Sequence, residues 1–112
     1  MPIHVLRDRA TPEQIREMLA EYTVMIKIVV DVRQKRLAGG GKMHADCEAV
    51  LLETGSAQDD LWGANWYPAD QAIEFESLIN IRPRLGNRSI ILQNPELRDK
   101  VEFITRSILG ET

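Results

Sequence analysis

HADCE, residues 44–48, alternates polar and apolar side chains. A period of two is the mark of a half-buried strand, and it sends His44, Asp46 and Glu48 to one face and Ala45 and Cys47 to the other. We read a strand over residues 43–53 and work outward from it. Upstream, RLAGGG (36–41) ends in three consecutive glycines, which suit a kink, a bulge or a close backbone approach. No lysine at P-loop spacing and no helix start follow them, so a phosphate cradle is a poor fit. Downstream, ETGS (53–56) marks a turn, DLWGANWY reads as a strand over 59–67, PADQ turns again, and IEFESLINI alternates over 73–81 until Pro83 stops it.

The ends of the chain carry helix signals. Thr11, Pro12 and Gln14 form an N-cap, a first-turn proline and a capping box, and Ile15, Met18, Leu19 and Tyr22 recur at helical spacing, predicting a helix over about 12–22. VMIKIVVDV (24–32) is β-branched, with Ile26, Ile28, Val30 and Val32 on one side and Lys27, Asp31 and Arg33 on the other. IHVL (3–6) and SIIL (89–92) are short strand candidates. Asn94-Pro95 opens a last helix with Leu97, Val101, Ile104 and Ile108 on one stripe and Gly110 as a stop. The expected fold is α+β: one domain over 1–112, with a mainly antiparallel meander sheet of four or five strands and an N-terminal and a C-terminal helix on one face.

Two hairpins extend this to a map of the sheet. Pairing 43–53 with 59–67 sets Leu51 beside Leu61 and Glu48 beside Ala64, and the next hairpin sets Trp66 beside Glu74 and Trp62 beside Leu78. One face then holds Ala45, Cys47, Ala49, Leu51, Leu61, Ile73, Phe75, Ile79 and Ile81 under the helices. The open face holds His44, Asp46, Glu48, Trp62, Trp66, Glu74, Glu76, Asn80 and Arg82. A slip of one residue would turn any of these strands over.

Composition excludes several classes. No stretch approaches the ~20 apolar residues of a membrane span and the N-terminus lacks a signal-peptide core, so a cytoplasmic protein without a membrane partner is expected. The lone Cys47 rules out an internal disulfide and a cysteine-based zinc site. Net charge is −3 but unevenly spread. Residues 1–42 carry eight basic and five acidic side chains, 43–81 carry none and eight, and 82–112 carry six and four.

Three functional readings compete. His44, Asp46, Glu48 and Glu74 could converge as a catalytic acid–base group, and His44, Asp46 and Glu48 as ligands for manganese, zinc or magnesium. Side chains two apart on a strand lie ~7 Å apart, however, and seldom close around one ion. The loop 82–89 (RPRLGNRS) offers Arg82, Arg84 and Arg88, with Gly86 and Asn87 permitting a tight turn, as a site for a small anion, phosphate or nucleotide. Net acidity argues against nucleic acid, and the same arginines could neutralise the protein's own carboxylates. The third reading, given the greatest weight, is an interaction module that self-associates as a homodimer through the open face. There Trp62 and Trp66, also candidate ligand platforms, and Leu78 need a cover. The identity of any cofactor is left unknown by the sequence.

MHADCEAVLLETGSAQDDLWGANWYP (43–68), IEFESLINIRP (73–83), GNRS (86–89) and NPELR (94–98) resemble a family of small bacterial proteins, well represented in cyanobacteria, known only as a domain of unknown function. The resemblance spans about residues 24–105 and implies that His44, Asp46, Glu48, Gln58, Trp62, Gly63, Asn65, Tyr67, Pro68, Asn80, Arg82, Pro83, Asn87 and Arg88 belong to a family pattern. It implies no activity, but a pattern rich in polar types points to a shared functional surface.

Overall fold

The computed structural model describes residues 3–111. Five strands form one antiparallel sheet: β1 (His4–Leu6), β2 (Ile26–Asp31), β3 (Arg36–Gly39), β4 (Leu61–Tyr67) and β5 (Ala72–Glu74), in spatial order β1-β3-β2-β4-β5. Three α-helices accompany it: α1 (Pro12–Met18), α2 (His44–Glu53) and α3 (Pro95–Leu109). The α+β class with an antiparallel sheet holds, and the terminal helices α1 and α3 do share a face. Met18 joins Val101, Ile104 and Ile108 there over Ile26, Ile28, Val30, Trp62, Ala64 and Trp66.

Residues 43–53 are the correction. They form a helix, not a strand, and they cover the face expected to be open. His44, Cys47 and Leu51 are buried at i, i+3 and i+7, one stripe of a helix, and Ala45, Glu48, Ala49, Leu52 and Glu53 are all good helix formers. Gly40, at φ 101°, turns the chain out of β3 ahead of the helix, and the Asp46 carboxylate accepts from the Met43 N–H at 3.0 Å to close the first turn. On this second face Cys47 and Leu51 pack with Val29, Ala38 and Leu61.

With that hairpin gone, β4 pairs with the central strand β2, Val29 opposite Gly63 and Lys27 opposite Asn65, so the sheet is not a simple meander. The β4–β5 hairpin forms as expected but one residue out of the mapped register, Asn65 facing Glu74 and Trp66 facing Ile73. That slip turns β4 over. Trp62 and Trp66 therefore lie buried in the core beneath α1 and α3, and Leu61 lies against α2.

Other boundaries moved by modest amounts. The Thr11 capping box forms as read, but α1 stops at Met18, ahead of Thr23 in a left-handed conformation. The strand over 73–81 is confined to β5, after which Glu76 makes one bridge to Ile91 and a 3-10 turn takes Leu78–Asn80. Where β5 no longer pairs, β4 finds a substitute edge. The Asn80 carboxamide accepts from the Gly63 N–H at 2.8 Å and donates to the Gly63 carbonyl at 3.0 Å, as a strand residue would. A Cβ on Gly63 would stand 2.5 Å from that of Ser77, so this approach requires glycine.

Candidate functional site

α2 covers only part of its face. Beyond its N-terminus the sheet presents a polar row in register: Lys27 on β2, Asn65 on β4 and Glu74 on β5. A cleft of about 390 Å³ opens over its Lys27 and Asn65 end, lined by Lys27, Asn65, Glu76 and Ser77 below, by Met43, His44 and Ala45 from the start of α2, and by Tyr22. Apolar Leu78, Ile79 and Ile90 complete its wall. Tyr22 lies beyond the end of α1, its hydroxyl donating to the Lys42 carbonyl and its ring 5.4 Å from the Lys27 ammonium.

His44 is the first residue of α2 and is buried. Its Nε2 lies 2.9 Å from the Ala64 carbonyl oxygen, which can only accept, so Nε2 carries the proton and the neutral ring keeps Nδ1 as an acceptor. Burial, and then Lys27, push the His44 pKa below its ordinary value, against the opposing pull of the Ala64 carbonyl and the Asn65 side chain. The neutral ring is thus the form present at pH 7.

A pH prediction follows from the sign of that shift. Between the depressed folded value and the unfolded value of 6.5, the unfolded chain binds the extra proton, so stability is expected to fall as pH drops below 6.5. His44→Gln keeps a donor for Ala64 and should remove this segment of the pH dependence. Urea unfolding midpoints on either side of pH 6.5, wild type minus variant, check it; parallel curves would mean that His44 titrates normally.

Asn65 lies beside His44 and is only 6% exposed. Its Nδ2 donates to Glu74 Oε1 at 2.9 Å, which fixes the carboxamide and leaves Oδ1 buried with no donor. The Tyr67 hydroxyl donates to the same Glu74 oxygen at 3.2 Å, and burial followed by that carboxylate raises the phenol's pKa.

The other residues picked from the sequence are dispersed. Asp46 caps α2 and Glu48 pairs with Arg82 at 2.9 Å, while Glu74 bonds Asn65 and Tyr67, so the four acid–base candidates do not converge. Among the described residues no group of three or more His, Cys, Asp or Glu side chains is placed to hold a metal. His44 and Glu76 both line the cleft. Burial lifts the Cys47 thiol to about 11, leaving it protonated.

In the loop 82–89 the arginines largely serve the protein's own acids and carbonyls. Arg82 stacks 5.0 Å from the Trp62 ring and donates to the Gln58 and Leu61 carbonyls besides Glu48. Arg84 binds Asp59 at 2.5 Å and holds that carboxyl below its usual range. Asn87 ties the loop shut, donating to the carbonyls of Asn80, Ser89 and Ile91. Arg88 alone is exposed without a bonded partner among the described residues. Of the proposed dimer surface, Leu78 is exposed and both tryptophans are core.

Lys27, Asn65 and Tyr22 were not singled out as site residues from the sequence. Lys27 was visible as a cation on the polar side of β2, and Asn65 lay within the family pattern; what joined them was the β2–β4 register.

Fold and cleft together define a small α+β domain with a sheet packed between helices and a polar cleft at one helix start. The chain belongs to the family of proteins of unknown function DUF5674, whose model matches residues 4–108. No curated protein and no solved structure matches it. Among the described residues no helix is long and apolar enough to cross a membrane.

Proposed function

We propose that the protein is a binding domain for a small polar ligand, held in the cleft between the first turn of α2 and the sheet at Lys27 and Asn65. One observation carries this reading: a nearly buried carboxamide oxygen without a donor lies beside a buried neutral imidazole, in a cleft that also presents an ammonium. Buried polar groups without partners cost about 1–3 kcal/mol each, and of the four such side-chain atoms among the described residues only Asn65 Oδ1 belongs to a residue of the cleft. Lys27, with the helix dipole at the start of α2, favours an anionic end on the ligand. This reading places recognition in the cleft rather than in the loop 82–89, where Glu48 and Asp59 already neutralise two arginines.

A library of small polar compounds titrated into ¹⁵N-labelled protein tests the reading. Bound compounds are expected to move the amide signals of Ala45 and Asn65. Lys27→Met is expected to weaken them about tenfold or more, the loss of a charge-assisted hydrogen bond. If no compound moves these signals, or if the shifts centre on Arg84 and Arg88, the cleft is not the binding site.

A further inference from the structure

We propose that the ligand of this cleft is a small zwitterion of the amino-acid type: a carboxylate beside a protonated amine, with an apolar substituent. The inference rests on the binding reading above and specifies its ligand class.

The floor of the cleft is polarised along the sheet. Lys27 and Asn65 are direct partners across β2 and β4, and Asn65 and Glu74 are direct partners across β4 and β5. A cation, a neutral acceptor and an anion therefore succeed one another over two strand spacings, about 10 Å between the outer Cα atoms. Glu74 stands beyond the rim of the cleft, holding the Asn65 amide, and Glu76 is the carboxylate that lines the cleft itself.

A simple anion would satisfy only one end of this row. Its charge would sit well against Lys27 and the first turn of α2, but it would leave Asn65 Oδ1 unpartnered and would face Glu76. The Asn65 oxygen can only accept, and Glu74 already holds the amide nitrogen, so an N–H or O–H of the ligand would satisfy it. A cationic N–H supplies it best, because the Glu76 carboxylate lines the same cleft. The neutral His44 ring lines the same cleft and brings no charge to repel the amine.

The walls account for the third part of the ligand. Met43 is 56% exposed and Leu78 is 74% exposed, and both line the cleft with the more covered Ile79 and Ile90. Large apolar side chains bordering a polar floor are suited to cover a hydrocarbon arm. The ordering is therefore carboxylate toward Lys27 and α2, amine toward Asn65 and Glu76, and apolar arm toward Leu78 and Met43.

Pools of the common α-amino acids, titrated into the ¹⁵N-labelled full chain, test this together with each binder's matched analogues: the same carbon skeleton without its amine, and without its carboxylate. Apolar amino acids are expected to move the Ala45 and Asn65 signals, and either analogue is expected to bind roughly ten- to a hundredfold more weakly. Glu76→Gln is expected to weaken the amino acid while leaving the amine-free acid unchanged or improved. If the amine-free acids or inorganic phosphate bind as tightly as the amino acids, the zwitterion assignment falls and the cleft remains an anion site. If amino acids leave the signals still while other polar compounds move them, the ligand class is wrong. If nothing moves them, both the class and the cleft reading fail.

Discussion

Asn80→Ala is expected to destabilise the protein by about 3–5 kcal/mol, the sum of two or three backbone groups losing buried partners at about 1–3 kcal/mol each. Asn80 is fully buried, and among the described residues its carboxamide partners both the Gly63 N–H and carbonyl on the outer edge of β4; it also donates to the Ile90 carbonyl at 3.3 Å. Alanine leaves these groups facing a space that Ser77 and Ile79 close off from above, because Gly63 brings the chain so near. Asn80→Asp should fail as well, since it keeps the acceptor but loses both donor bonds and buries a charge. Urea unfolding followed by tryptophan fluorescence reads the loss directly, with Trp62 as a reporter on the same strand. A cost below about 1 kcal/mol would mean that water replaces the amide and that this edge of β4 is accessible to solvent. The effect should also reach the cleft, because Asn65 stands two residues along β4 from Gly63.

Asp31→Ala is expected to cost a similar amount, about 3–5 kcal/mol, by leaving a buried cation without its counter-charge. Asp31 is fully buried at the end of β2 and its carboxylate accepts from the Arg33 and Gln34 N–H groups at 3.0 and 2.8 Å and from the Ser56 hydroxyl at 2.6 Å. Arg36, 5% exposed, sits 4.0 Å from the same carboxylate and donates to Ser56 and to the Leu51 and Thr54 carbonyls at the C-terminal end of α2. The cluster thus fastens the β2–β3 turn to the end of the helix, where a cation also suits the helix dipole. Removing the acid alone strands the guanidinium, whereas Asp31→Ala combined with Arg36→Met removes both charges and should recover part of the loss. Equal cost for the single and double variants would show that the hydrogen bonds to the turn, and not the charge pairing, carry the stability.

Local signals in the sequence were dependable where short-range chemistry is decisive. The Thr11 box, the Asn94 cap with Pro95, the β-branched run of β2 and the apolar stripe of α3 all form as read, because each depends on neighbours within one or two turns. The α+β class and the family could be read as well. HADCE could not be assigned from its alternation: five residues of period two fit a strand, yet positions 44, 47 and 51 fit a helix, and only packing against Val29, Ala38 and Leu61 selects between them.

The faces of the strands lay beyond reach for a related reason. A shift of one residue exchanges every inward side chain for an outward one, so the same letters put Trp62 and Trp66 either on a surface or in the core. In the folded chain β2 decides. Its Ile26, Ile28 and Val30 take Trp66, Ala64 and Trp62 as partners on the face of α1 and α3, which leaves Lys27 and Asn65 together on the other. The sequence by itself determined the elements that local caps and periodicity can specify. The tertiary structure decided which residues form the cleft, because that depends on a register between strands more than thirty residues apart and on where a helix over them ends.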